Sequence, residues 1–129
     1  MRVSTADYDG IIFPAEMKAF RREFPKRVAY WTPSESEVLA AEKQLVPFLR
    51  GSSDPRVKEI LNKISTYKRQ YVGVIVAGQK YLYFNLFCLA PNYWTRSEVI
   101  VLDGGSCFFN VRFSNETKTF SHFRVNGVA

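Results

Sequence analysis

The spacing of apolar residues changes once along the chain. Up to Lys68-Arg69 it follows a helical period, and beyond that point it alternates. In the first part, Met17, Phe20 and Phe24 recur at helical spacing and Pro25 follows. This predicts an arm over residues 1–30 with one short amphipathic helix at about 14–24. "WTPSESEV" offers Thr32 as a cap, Pro33 at the first helical position and Glu35 three residues after the cap, the pattern of a capping box. Val38, Ala41, Leu45 and Leu49 mark the buried face of the helix that follows; Pro47 should loosen its last turn and Gly51 end it. Asp54 and Pro55 repeat the start signal, and Val57, Ile60, Leu61, Ile64 and Tyr67 form the stripe of a second helix at about 55–67. The two helices fill residues 33–67.

The alternating part, 70–125, predicts an antiparallel meander with strands at 70–76, 80–89, 97–102, 107–114 and 119–125. Assigning alternate residues inward gives a core of Val72, Val74, Val76, Leu82, Phe84, Leu86, Cys88, Cys107, Phe109, Val111, Phe113, Phe123 and Val125, with either Val99 and Val101 or Ile100 and Leu102 from the third strand. The opposite face then carries Tyr71, Tyr81, Tyr83, Asn85, Phe87, Phe108, Asn110, Arg112, Phe120, His122 and Arg124. A sheet covered on one side normally shows polar residues on the other. Here aromatics alternate with Asn, Arg and His. Either the N-terminal arm or the curl of the sheet covers this face, or it is a contact surface of the kind enriched in Tyr, Phe and Arg.

Candidate chemistry is sparse. "DGGSCFF" at 103–109 could cradle a phosphate, but a strand pattern follows Gly105 where a phosphate loop needs a helix, so the glycines are read as a hairpin turn. Cys107 and the single histidine, His122, fall on opposite faces, which disfavours a catalytic pair. Cys88 and Cys107 sit at opposite ends of the predicted third strand and are expected to remain free thiols. No spacing resembles a zinc site, and no cofactor or metal is expected.

Composition adds a bound on partners. The 129 residues suit a single domain, 1–129, and the 16% aromatic content is high. Lys and Arg outnumber Asp and Glu by eight to seven over residues 1–53 and by ten to five over 54–129, part of a net charge of +6. This could serve nucleic acid, an acidic protein or plain solubility. No RNP-like aromatic run is present, which makes nucleic acid the weaker choice. No stretch is long and apolar enough to span a membrane, and "MRVSTADYDG" lacks a signal peptide's apolar segment. The default placement is cytoplasmic, or periplasmic and exported if a signal has been trimmed.

Helices followed by a curved meander, over roughly 33–125, resemble the cystatin-like and NTF2-like α+β group: N-terminal helices on one face of a curved antiparallel sheet of four to five strands. The ending "VLDGGSCFFNVRFSNETKTFSHFRVNGVA" is similar to that of small bacterial domains, often exported. NTF2-like enzymes carry Asp/His or Asp/Asp sets in the sheet's concavity, and His122 has no carboxylate on its face. The resemblance therefore implies a non-enzymatic module that binds a protein or a second copy of itself, such as an inhibitor or toxin-neutralising immunity protein. The expected contact residues are Tyr81, Tyr83, Phe108, Arg112, Phe120 and Arg124, with Tyr71, Asn85, Asn110 and His122 as additions. The alternatives are a small-ligand or hydrolase-like pocket and single-stranded nucleic-acid binding.

Overall fold

The computed structural model describes residues 1–128. In chain order the elements are β1 (Arg2–Ser4), β2 (Asp9–Ile12), β3 (Ala29–Trp31), α1 (Glu35–Glu42), α2 (Leu45–Arg50), α3 (Val57–Asn62), β4 (Lys68–Val76), β5 (Gln79–Phe87), β6 (Phe108–Ser114) and β7 (Phe120–Val125). The fold is α+β. Among the described residues, seven strands form one mostly antiparallel sheet in the order β1-β2-β4-β5-β6-β7, with β3 also paired to β4. β2 lies parallel to Lys68–Tyr71 at the start of β4, and β3 lies antiparallel to Gly73–Ile75 farther along it. The arm thus supplies three short strands that the apolar spacing did not reveal.

Local chemistry sets the helix limits. The capping box is present but starts two residues later than the sequence suggests: Ser34 caps α1, accepting from the Glu37 amide, while the Glu37 carboxylate takes the Ser34 amide. Thr32 instead accepts a hydrogen bond from the Ala15 amide and ties down the arm. Pro47 cannot donate to the Lys43 carbonyl, and the helix breaks at Lys43-Gln44 before resuming as α2. α3 ends at Asn62 and a 3-10 turn covers Ile64–Thr66, shorter than the predicted 55–67.

Buried clusters lie on both faces of the sheet. Val38, Ala41, Leu45, Leu49, Val57 and Ile60 from the helices share one with Tyr71, Leu82, Phe84, Phe109, Val111 and Phe120. Two sequence assignments are corrected here. Tyr71 pairs with Phe84 and Val72 with Tyr83, so β4 is offset by one residue and Tyr71 faces the helices while Val72 and Val74 face away. Phe120 pairs with Phe113 and also faces the helices. A bulge opposite Val111, where His122 takes a φ of 54°, lets Phe120, Phe123 and Val125 all point inward.

The predicted third strand, 97–102, does not form. The segment between β5 and β6 instead crosses the face away from the helices, held by two buried amides. Gln70 Nε2 donates to the carbonyls of Trp94 (2.7 Å) and Ser97 (2.8 Å), and its Oε1 accepts from the Val99 amide (3.0 Å). Asn85 Nδ2 donates to the Val99 carbonyl (2.8 Å) and to Gln70 Oε1 (3.1 Å). Side chains satisfy this backbone where a strand would use its neighbours.

With no strand between them, β5 runs beside β6. Cys88 faces Cys107 with their Cα atoms 5.0 Å apart, and the two form a disulfide, so the expected free thiols are wrong. Gly104 (φ 93°) and Gly105 (φ 63°) do need left-handed backbone, but they lead into a 3-10 turn at Gly105–Cys107 and not a hairpin. Asn126 clasps this turn, donating to the carbonyls of Val101 and Asp103.

Candidate functional site

The rest of the outer face lies beneath the arm. In place of the predicted helix at 14–24 the chain forms 3-10 turns at Ala15–Met17 and Arg21–Glu23. Phe13, Ala19, Phe20 and Phe24 are buried there against Val72, Val74 and Tyr83. Tyr83 is only 3% exposed, its ring against Phe20 (5.0 Å) and Phe24 (5.1 Å).

The expected contact residues therefore separate. Phe120 and Tyr71 are in the helix-side core, Asn85 is buried beneath the crossing segment, and Phe108 packs with Phe87, Trp94 and Val99. Tyr81, near the start of β5, bonds to Gln79. What the fold does bring together is Tyr83, Asn110, Arg112, His122 and Arg124, which with Glu23 and Phe123 line a shallow depression of about 320 Å³. The Arg112 guanidinium stands 5.0 Å from the Phe24 ring centre, and Arg124 pairs with Glu23 at 3.2 Å.

The Nδ1 of His122 lies 2.9 Å from Ser121 Oγ, but burial and the neighbouring Arg112 both lower the imidazole's affinity for a proton. Among the described residues no carboxylate is hydrogen-bonded to His122 to orient it as a base, and both cysteines are tied in the disulfide.

Sequence spacing missed the arm's charge. Lys18, Arg21, Arg22, Lys26 and Arg27 are all exposed, whereas the arm's turns carry only Glu16 and Glu23, the latter paired with Arg124. Two cations of the 54–129 surplus, Arg112 and Arg124, lie against this arm at Phe24 and Glu23.

On the helix side, a groove of about 580 Å³ opens between the β1–β2 connection and α1, with Tyr8, Leu39, Val46 and Ile64 among its walls. At its base Arg69 donates to Glu42 (Nε to Oε2, 3.0 Å) and to the carbonyls of Ile64 and Tyr67, while the Tyr71 hydroxyl donates to the same carboxylate. The Tyr8 ring covers the guanidinium at 4.6 Å. Burial, with Glu42 adding to it, pushes the Tyr8 hydroxyl up to about 12. Arg69 and Glu42 are each 4% exposed at the side chain and satisfy one another, so this network holds the helices to β4 and offers a ligand no free charge. Comparison with known proteins found no matching family model, no matching curated protein and no matching solved structure.

Proposed function

We propose that the chain is a non-enzymatic protein-binding module that engages an acidic partner, in the manner of an inhibitor or toxin-neutralising immunity protein. The observation that carries this reading is that Arg112 and Arg124 lie against the arm, at Phe24 and Glu23, and that the arm itself exposes Lys18, Arg21, Arg22, Lys26 and Arg27. Such a field steers an oppositely charged partner and speeds its capture. It also repels a second copy of itself, which favours a hetero-partner over a homodimer through this face. Helices on one side of a mostly antiparallel sheet are consistent with the cystatin-like and NTF2-like group, where binding and inhibitory members are common. The Cys88–Cys107 bridge supports placement in an oxidising, exported compartment.

The test is affinity capture of the native partner, followed by titration calorimetry with that purified partner against the wild-type chain and an Arg112→Glu/Arg124→Glu variant. Binding should weaken by more than tenfold in the variant and with rising salt. Unchanged affinity in the variant would reject the face. Submicromolar, salt-dependent binding of single-stranded RNA would move the reading to nucleic acid. Turnover of a model ester that is lost in His122→Ala would move it to the hydrolase-like alternative.

A further inference from the structure

Six large apolar side chains stand exposed among the described residues, and four of them, Leu89, Tyr93, Ile100 and Leu102, belong to the segment between β5 and β6. The Cys88–Cys107 disulfide closes that segment into a loop at its base. Scattered singly, such residues are ordinary; gathered on one loop, they point to contact.

The loop is held still where the last two of them lie. Asn85 donates to the Val99 carbonyl, and Asn126 donates to the carbonyls of Val101 and Asp103. Val99 is buried, and Val101 packs against the same cluster as Phe87 and Trp94. The alternate residues turn outward: Ile100 is 53% exposed and Leu102, at a bend, 92%. Two apolar side chains are thus pushed into solvent on a backbone that the scaffold already grips. Such a segment gives up little freedom when a partner closes on it.

The loop also adjoins the cationic depression. Ile100, Leu102, Asn110 and Arg124 line one narrow cleft, and Asn110 and Arg124 line the depression beside Arg112 as well. The two form one continuous surface, apolar and projecting at one end and cationic at the other. Resting on the protein-binding reading above, we propose that Ile100 and Leu102 are the apolar anchor of that contact. They insert into an apolar cleft of the partner protein whose rim carries carboxylates for Arg112 and Arg124. The exposed Asp103 beside Leu102 suits a shaped protein cleft better than an anionic bilayer, which would take the whole tip against its own charge.

The test places the photo-cross-linker benzoylphenylalanine at Leu102, at Arg112 or, as a helix-side control, at Glu59 of the intact, oxidised chain, which is irradiated in an extract of its native host. The probes at Leu102 and Arg112 should tag one and the same protein, and the probe at Glu59 should not. With that protein purified, Ile100→Ala/Leu102→Ala should weaken binding about tenfold or more in titration calorimetry. Its salt dependence and the chain's melting temperature should stay as in the wild type, because the two side chains are uncharged and solvent-exposed. Arg112→Glu/Arg124→Glu should instead remove the salt dependence. Tagging from Arg112 but not Leu102, or an Ile100→Ala/Leu102→Ala chain that binds at full strength, would overturn the anchor and leave the cationic face standing. Tagging from neither position would overturn both. A tagged second copy of the chain, or binding to vesicles of phosphatidylcholine and phosphatidylserine that is lost in Ile100→Ala/Leu102→Ala, would overturn the anchor in favour of self-association or a membrane surface.

Discussion

The two faces of the sheet are both buried, but by different means. On the helix side, continuous apolar stripes from α1, α2 and α3 meet a row of aromatics, and the polar groups at its margin, Glu42, Arg69 and Tyr71, satisfy one another. On the other side, among the described residues, no α-helix covers the sheet: the strained arm and a segment pinned by Gln70 and Asn85 do so. The first face is covered by periodic structure that sequence spacing reveals. The second is covered by irregular backbone whose anchors are single side chains, and irregular covers are where low-stability opening concentrates.

The largest effect is expected where the helix face holds the buried Arg69–Glu42 ion pair. Arg69→Met should destabilise the chain by about 4 kcal/mol in urea unfolding, because Glu42 is left charged and unpaired. Adding Glu42→Met and Tyr71→Phe should restore most of that loss. If the single variant costs less than about 1 kcal/mol, water reaches the pair and the two faces differ less than described.

Tyr83→Ala tests the arm directly. With both Phe20 and Phe24 against its ring, it should cost about 3 kcal/mol, as a core aromatic does. A cost below about 1 kcal/mol would mean that the arm is detached in solution and that Tyr83 faces water, as alternation alone allows.

A smaller and more local effect is expected for Gln70→Ala. Losing the amide that serves three backbone groups of the crossing segment should cost about 2 kcal/mol. Amide exchange should accelerate at residues 94–99 and much less at β5. Uniform acceleration across the sheet would indicate that the segment is part of the global core.

The smallest effect has the opposite sign. Ala77 stands at φ 51° in the two-residue turn Ala77-Gly78 that joins β4 to β5, where Asn is tolerated better than Ala. Ala77→Asn should raise stability by about 0.5 kcal/mol, read as a small upward shift in melting temperature.

These contrasts follow how much of the molecule was legible in sequence. The helices of 33–67 were readable because Val38, Ala41, Leu45 and Leu49 keep one period; their details moved, the cap from Thr32 to Ser34, which can accept the same bond, the first helix breaking at Lys43-Gln44 and the second stopping at Asn62. β5 and β6 were readable because they alternate cleanly. β4 was not, because Tyr71, Val72 and Val74 are all buried, and with both faces covered the alternation carries no direction. Residues 97–102 have a strand's composition but give their backbone groups to Gln70 and Asn85, a choice no local spacing records. The bulge at His122 then moved Phe120 away from the candidate site, while Arg112 and Arg124 stayed on the face where alternation put them.

The parallel alignment of β2 with β4 also sets the order of events when the chain folds. Asp9 pairs with Lys68, so this edge of the sheet cannot zip until everything between them has been made and closed into a loop. β4 and β5, joined by two residues, can pair at once. Closing long loops before their contacts are rewarded slows folding, so the N-terminal strands should join a sheet already assembled from β4 to β7. A nascent chain stalled before Lys68 would hold an arm with no edge to dock on. Its aromatic residues, Phe13, Phe20 and Phe24, would be the surface most in need of a chaperone.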